Sequence, residues 1–241
     1  LGPWISAEVN PVLSDCEIGR NAGLFELEGK TYRVAQKFRK GIYGSEITIF
    51  QVLDAERNFY EQSNAAVHRG AHLLAEEATD AFEHARANIA AFIGAKPDDL
   101  VFTKNATEAI NLVSYTFLNA TLKSMRGASL PTGAERFVLA EGDEILVSEL
   151  EHHANLVPWQ ELCLKTGAVL KWIPITDQGL LDYSKIESLI NPKTKIVSIS
   201  HMSNVLGSIT DIELVGKAAK SVGAFFFIDA CQSVPHMPVD F

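Results

Sequence analysis

From about residue 98 onward, short runs of β-branched and aromatic residues alternate with longer stretches in which apolar residues recur every three or four positions. The short runs have the composition of strands, and the longer spacing is that of one helix face. Such alternation is typical of β–α–β units, which build a mostly parallel sheet flanked by helices. The sequence therefore predicts an α/β fold with strands at residues 99–103, 144–148, 169–173, 195–200 and 224–228.

The helical periodicity predicts five helices, at residues 73–93, 106–118, 154–166, 183–190 and 212–222. The first is rich in Ala and Glu and ends at Gly94, a residue type common after helices. Residues 120–141 contain Gly127, Pro131 and Gly133 with little periodicity, which predicts a long loop insertion. Residues 50–60 are compatible with a helix, but residues 32–49 have no clear period, so little is assigned within the first 63 residues.

The charge balance disfavours two classes of partner. With 21 basic and 30 acidic residues in 241, the formal net charge is −9. Such a surface does not attract nucleic-acid phosphates or anionic membranes. No apolar run has the length of a membrane span and no signal pattern is present, so the sequence predicts a cytoplasmic protein. Its three widely spaced cysteines fit neither a disulfide framework nor a structural zinc site.

Polar residues follow four of the five predicted strands directly. In an open parallel sheet, ligands bind beyond the carboxyl ends of the strands, so these residues are expected to form a site. The four clusters are KNATE at residues 104–108, ELEHHAN at 149–155, HMSN at 201–204 and DACQ at 229–232.

Each cluster has a ligand-binding and a purely structural interpretation. Asn105 and Thr107 open a helix whose N-terminal N–H groups could hold a phosphate, but Asn105 and Glu108 also resemble a capping box. Asp229 is expected to be buried and to need a cation or donors, yet with Gln232 it could simply cap a following helix. Cys231 is expected to be an inert, packed thiol.

The histidines and Asn204 are similarly open to two interpretations. Adjacent His152 and His153 lack the spacing of a metal site, so no metal is predicted; one imidazole could instead lie against an aromatic ring or carry a proton. Asn204 could bond an anionic or phenolic oxygen, or be a turn residue. The string HRGAH at residues 68–72 could be an anion clamp, a subunit contact or a polar loop.

These clusters resemble those of class V aminotransferases of fold type I, and specifically the Suf-type (group II) cysteine desulfurases, which are related to selenocysteine lyases. Five strings, in order along the chain, carry the resemblance. They are NAAVHRGAH at residues 64–72, FTKNATEAINLV at 102–113, ELEHHANLVPWQ at 149–160, SNVLG at 203–207 and DACQSVPH at 229–236.

The resemblance implies pyridoxal 5′-phosphate (PLP) as the cofactor. By resemblance, Thr107 and the backbone of Ala106 would hold its phosphate, and His152 would stack on its ring and assist proton transfer. Asp229 would pair with the pyridinium nitrogen, which keeps the ring an electron sink. Gln232 would bond the phenolic oxygen.

Further roles follow from the same resemblance. Asn204 would orient the substrate, and His68, Arg69 and His72 would lie at a homodimer interface near the partner's site. The implied reaction removes sulfur from L-cysteine to give alanine and a persulfide. A sulfur-acceptor protein of the Suf system would then take the sulfur for iron–sulfur cluster assembly.

The chain is expected to be a fragment, because it begins with Leu1 and stops at Phe241. In the family, the lysine that binds the cofactor as a Schiff base, the persulfide cysteine and an arginine for the substrate carboxylate all come later than Phe241. The expected organisation is an N-terminal segment, 1–63, in which residues 32–51 depart from the family, and an incomplete PLP-binding large domain, 64–241. The chain alone is expected to be inactive.

Two alternatives remain at this stage. The scaffold could belong to a selenocysteine lyase or another class V lyase, which would act on L-selenocysteine or a related substrate. The chain could also be a non-catalytic dimerisation or binding module that keeps its affinity for the phosphate.

Overall fold

A computed structural model describes residues 18–27, 30–39, 42–51 and 59–240, and the described residues divide into two compact units. The first unit contains the residues up to Val101 and those from Ser233 onward, and the second is Phe102–Gln232. Among the helices that the structure describes, none combines the length and the apolar character that a membrane span requires.

The first unit contains a three-stranded antiparallel sheet in the order β1-β2-β3. Its strands are β1 (Ile18–Leu27), β2 (Lys30–Arg39) and β3 (Ile42–Gln51). The sequence analysis assigned no strand here. Residues 50–60 are compatible with a helix by sequence, but Gln51 still belongs to β3, and Phe59–Ser63 forms a π-helical turn. Residues 52–58 lie outside the described residues.

The long helix of the first unit is confirmed as α1 (Leu73–Phe92). It begins after His72, whose Nδ1 accepts a hydrogen bond from the Ala75 backbone N–H at 3.3 Å. The bond satisfies one of the N–H groups that the first helical turn leaves without a partner. Gly94 follows the helix with a φ of 72°, a conformation that glycine adopts without strain.

The second unit contains the predicted parallel sheet, with four strands in the order β5-β4-β6-β7. The strands are β4 (Glu144–Ser148), β5 (Val169–Ile173), β6 (Thr194–Ser200) and β7 (Phe225–Asp229). The predicted strand at residues 99–103 is wrong. Pro97–Asp99 forms a 3₁₀ turn, and within the described chain residues 100–103 pair with no strand.

Both faces of this sheet carry a hydrophobic core, because successive strand residues point to opposite faces. On one face Ile145 and Val147 pack with Phe117, Trp159 and Leu162 from two helices. On the other face a second cluster packs against the remaining helices, with Leu146, Val197, Ile199, Ile186, Val215 and Ala219. The prediction of helices on both faces is confirmed.

The helices of the second unit are α2 (Ala106–Met125), α3 (Val157–Thr166), α4 (Ile186–Leu189) and α5 (Ile212–Ser221). Helix α2 runs seven residues beyond its predicted end at residue 118. The loop insertion predicted at residues 120–141 is therefore shorter than expected. Within it, Ala134–Phe137 forms a 3₁₀ turn and Leu139 is buried. The helix predicted at residues 154–166 begins only at Val157, after a 3₁₀ turn at His153–Asn155.

The strand order creates a switch point between β4 and β6. From the carboxyl end of β4 the chain passes through α3 to β5, on one side, whereas β6 leads through α5 to β7, on the other. The two adjacent strands therefore lead away from each other and leave a crevice beyond their carboxyl ends. Crevices of this kind are where open α/β sheets bind ligands.

Candidate functional site

Glu151 occupies the crevice between the carboxyl ends of β4 and β6. Its Oε1 accepts hydrogen bonds from the Ser148 hydroxyl and, at 2.8 Å, from the Ser200 backbone N–H. Its Oε2 accepts from the Ser200 hydroxyl and from Asn155 Nδ2, both at 2.6 Å. The carboxylate thus binds groups from both strand ends and from the turn that begins α3.

Asn155 has only one orientation in this network. It is fully buried, and its Oδ1 accepts from Trp159 Nε1 at 3.0 Å and from the Ser198 hydroxyl at 2.6 Å. Because an indole N–H can only donate, the amide oxygen must face Trp159 and the amide nitrogen must face Glu151. Asn155 must therefore accept from Trp159 in the core and donate to Glu151 in the crevice.

The charge of Glu151 is not neutralised by any cation within residues 59–240. Burial is the largest influence and raises the pKa of Glu151, while the hydrogen bonds from Ser148, Ser200 and Asn155 only partly oppose it. In the sequence, Glu151 stands out only as a member of the ELEHHAN cluster. Its position between Ser148 and Ser200, at the ends of two strands, could have identified it, but only if β4 and β6 were known to be adjacent.

His152 follows Glu151 directly and exposes its ring. Its Nδ1 accepts a hydrogen bond from the Ala154 backbone N–H at 3.1 Å. In the neutral imidazole this bond places the proton on Nε2, on the far side of the ring. The ring is thus held by one nitrogen, and the other is available to a ligand.

Asp229 is the last residue of β7 and only 9% of it is exposed. Its Oδ1 accepts from the Cys231 backbone N–H at 3.0 Å, and no cation in the described part of the chain pairs with it. It caps a turn rather than the expected helix, because residues 231–236 form turns. Gln232 is half-buried in the same turn. Cys231 is exposed, which corrects the expectation of a packed thiol.

The N-terminus of α2 presents free donors to solvent. Asn105 Oδ1 accepts from the Glu108 backbone N–H at 2.9 Å, and Glu108 accepts from the Lys104 backbone N–H at 2.6 Å, an arrangement close to the predicted capping box. The N–H groups of Ala106 and Thr107 and the Thr107 hydroxyl have no partner among the described residues. Capping and phosphate binding are therefore compatible here.

Asn204 lies in a tight turn that follows β6. The Ser203 hydroxyl accepts from the backbone N–H groups of Val205 and Leu206, and the Gly207 N–H donates to the Ser203 carbonyl at 3.0 Å. These bonds shape the turn without using the Asn204 amide, which bonds to nothing else that the structure describes. The turn interpretation of Asn204 is correct, and the amide remains available to a ligand.

His201 joins the ends of β6 and β7, since its backbone N–H donates to the Asp229 carbonyl at 3.0 Å. The imidazole is buried, and burial lowers the pKa of His201, so the ring is neutral at physiological pH. It was noted in the sequence only as part of the HMSN cluster.

His68, Arg69 and His72 lie in the first unit, near the N-terminus of α1. His68 has a positive φ of 58° and its Nε2 lies 2.8 Å from Glu83 Oε1, while His72 caps α1. Arg69 is exposed and makes no ion pair with another described residue. Two of the three thus have local structural partners.

The second unit therefore contains groups that suit three parts of PLP. Open donors at a helix N-terminus suit its phosphate, a buried carboxylate without a cation suits its pyridinium, and an exposed imidazole with a fixed tautomer suits its ring. Among the described residues, no group of three or more His, Cys, Asp or Glu side chains is arranged to hold a metal ion.

Comparison with known proteins agrees with these features. A family model for aminotransferase class V matches residues 44–241. The chain is 52% identical over 190 residues to a probable cysteine desulfurase 2 of Mycobacterium leprae, covering 79% of this chain and 42% of that protein. It is 46% identical over 191 residues to a probable cysteine desulfurase of Streptomyces coelicolor, covering 79% and 43%.

Solved structures of cysteine desulfurases share the fold. The apo cysteine desulfurase of Thermococcus onnurineus is 40% identical with a TM-score of 0.66, covering 78% of this chain and 42% of that one. The cysteine desulfurase CsdA of Escherichia coli is 34% identical with a TM-score of 0.63, covering 78% and 43%. The chain spans less than half the length of these relatives, and it belongs to the class V aminotransferase family.

Proposed function

We propose that this chain carries the PLP site of a cysteine desulfurase that takes sulfur from L-cysteine. The observation that carries the proposal is that the second unit presents three suitable groups after its strands: the open donors of α2, the exposed His152 ring and the Asp229 carboxylate, which pairs with no cation among the described residues. The names of the relatives favour cysteine over selenocysteine as the substrate.

Each residue has a distinct task in this proposal. Thr107 and the N–H groups of Ala106 and Thr107 bind the phosphate with the help of the helix dipole. Asp229 holds a proton on the ring nitrogen by charge, and Gln232 orients the phenolic oxygen. His152 covers the ring and accepts or donates a proton at Nε2, since Nδ1 is occupied by the Ala154 N–H. When bound, PLP supplies an electron sink for bonds at the substrate's α-carbon.

The proposal extends to the protein's surroundings. Asn204 binds the substrate near the ring, and His68, Arg69 and His72 contribute to a homodimer interface. The product sulfur is passed to an acceptor protein for iron–sulfur cluster assembly in the cytoplasm. These assignments rest on the family to which the chain belongs.

PLP binding tests the proposal directly. We expect the protein to bind PLP in equilibrium dialysis, and Thr107→Val to weaken binding by about tenfold, because one hydrogen bond to a charged phosphate is lost. Thr116→Val is the matched control, since Thr116 lies on the same helix with its hydroxyl on the Leu112 carbonyl. An absence of PLP binding, or equal losses in both variants, contradicts the proposed site.

A further inference from the structure

We infer that Glu151 is a positioning residue that ties the end of β4 to the end of β6 and so sets the spacing between His152 and Asp229. The inference rests on the proposed function, because that spacing matters only if both residues face one cofactor. His152 is the next residue after Glu151. Asp229 is the register partner of Ser200, to which Glu151 is bonded twice.

A side-chain connection is needed here because the backbone pairing of β4 and β6 stops before the residues of the site. The last paired residues of the two strands are Val147 and Ser198. Beyond them the chains diverge toward β5 and β7, as the strand order requires. The four hydrogen bonds of Glu151 continue the connection through side chains, from Ser148 on one strand to Ser200 on the other.

With Asn155 in this orientation, a carboxyl group fits this position and an amide does not. The Ser200 backbone N–H is an obligatory donor to Oε1, and Asn155 Nδ2 is a donor to Oε2 that cannot be reversed, since Trp159 fixes the amide. A glutamine has one acceptor oxygen and one NH₂ group. In either orientation its NH₂ group would face one of these two donors, so the hydrogen bond to Ser200 N–H or the one to Asn155 Nδ2 would be lost.

A merely structural network does not require the charge. Burying an unpaired carboxylate is costly, and apolar or neutral polar groups commonly hold strands together at lower cost. Glu151 lies between two residues assigned to the same ligand, with no cation of its own in residues 59–240. Its place in the crevice therefore indicates a role in holding the site.

Three variants separate this role from general stability. Glu151→Gln creates the donor conflict. In Glu151→Gln/Asn155→Asp the new carboxylate at position 155 accepts from Trp159, Ser198 and the glutamine NH₂, so the tie closes again. Glu149→Gln is the matched control, because Glu149 accepts from a single N–H, that of Ile175 at 2.9 Å, and a glutamine oxygen can replace it.

The measurements are PLP affinity, the visible circular dichroism of bound PLP, and the amide NMR signal of Ala154, which reports its hydrogen bond to His152. We expect Glu151→Gln to weaken PLP binding by about tenfold, to change the dichroism and to shift the Ala154 signal. The double variant should restore all three, and Glu149→Gln should change none.

The inference is overturned if Glu151→Gln leaves the dichroism and the Ala154 signal unchanged, even if it lowers the unfolding temperature. It is also overturned if the double variant restores the unfolding temperature alone. If the wild type binds no PLP, the proposed function has failed, and the Ala154 signal then decides whether Glu151 positions His152.

Discussion

Glu144 and Glu151 lie near opposite ends of β4 and are held in contrasting ways. Glu144 is buried at the amino end, where Lys171 Nζ and Asn191 Nδ2 each lie 2.7 Å from its carboxylate. Burial opposes its ionisation, but Lys171 and Asn191 outweigh that effect and hold the pKa of Glu144 below its ordinary value. Among residues 59–240 no such cation pairs with Glu151, and burial raises its pKa. The carboxylate at the amino end of β4 is therefore paired with a lysine, whereas the one beyond its carboxyl end, at the candidate site, is held only by hydrogen bonds among the described residues.

The two carboxylates should give opposite pH dependences of stability. Relative to Glu151→Gln, the wild type should gain free energy of unfolding as the pH falls through the raised folded-state pKa of Glu151 toward 4.5. This gain should disappear as the pH rises through that pKa. Relative to Glu144→Gln, the stabilisation should be present above pH 4.5 and be lost as the pH falls through the lowered folded-state pKa.

Urea unfolding of the three proteins between about pH 3 and pH 8 measures both differences, because the Glu144 effect lies below pH 4.5. Subtracting each variant from the wild type cancels the contributions of all other titrating groups. Differences that are independent of pH, or that have the same sign for both residues, would contradict the assigned environments.

The two described cysteines should differ in reactivity. Burial raises the pKa of Cys163 to about 11, so its thiol is protonated and shielded at neutral pH. Cys231 is exposed two residues after Asp229. We expect iodoacetamide to modify Cys231 well before Cys163, as measured by peptide mass spectrometry, with equal labelling in urea as the control. Prior labelling of Cys163 would show that the α3 core opens readily.

At the scale of elements, the cap of α2 should contribute to stability apart from ligand binding. Asn105→Ala removes the acceptor for the Glu108 N–H and should lower the free energy of unfolding by about 1 kcal/mol. Asn111→Ala on the same helix is the comparison, since its amide donates to an exposed carbonyl, that of Thr107. Chemical denaturation measures both, and equal losses would show that the capping bond is not the cause.

The strands that sequence patterns located best belong to the parallel sheet. Residues 144–148 and 169–173 were predicted with their observed bounds, because each is a short run rich in β-branched and other apolar residues. Residues 99–103 have the same composition but no partner strand in the described chain, and Val101 is 69% exposed. Composition records the propensity for a strand, whereas pairing depends on distant residues.

The antiparallel sheet was missed for a different reason. Its three strands are each ten residues long and mix charged with apolar residues, so the alternation is weak. A signal was nevertheless present, because only two residues, 28–29 and 40–41, separate consecutive strands, and both pairs end in Gly. A two-residue separation with Gly is typical of a β-hairpin.

Three residues of the candidate site can be proposed from the sequence because they directly follow strands. His152, Asn204 and Asp229 were found by inspecting strand ends, and the family resemblance gave them roles. Glu151 was not found, because its partners Ser200 and Asn155 lie at very different separations along the chain. Only the strand order brings Ser200 to it, and no local pattern encodes that order.

At the scale of the whole molecule, the core between the sheet and α2 should dominate the stability of the second unit. Phe117 is 2% exposed and its ring lies 5.4 Å from Phe137 and 5.2 Å from Phe225. Phe117→Ala should lower the free energy of unfolding by about 3–5 kcal/mol, through lost burial and the cavity left behind. Leu164→Ala is the control, since Leu164 is 80% exposed. A loss below about 1 kcal/mol for Phe117→Ala would contradict this account of the core.

The separation of 49 residues between Glu151 and Ser200 also has a consequence for biosynthesis. The ribosome releases β4 and β5 before β6, and β6 must then enter beside β4 on the side opposite β5. Until it does, Glu151 remains hydrated and the chain has no crevice, because contacts between distant residues form late. A nascent chain therefore lacks this crevice, and the strand topology alone delays its formation until β6 has left the ribosome.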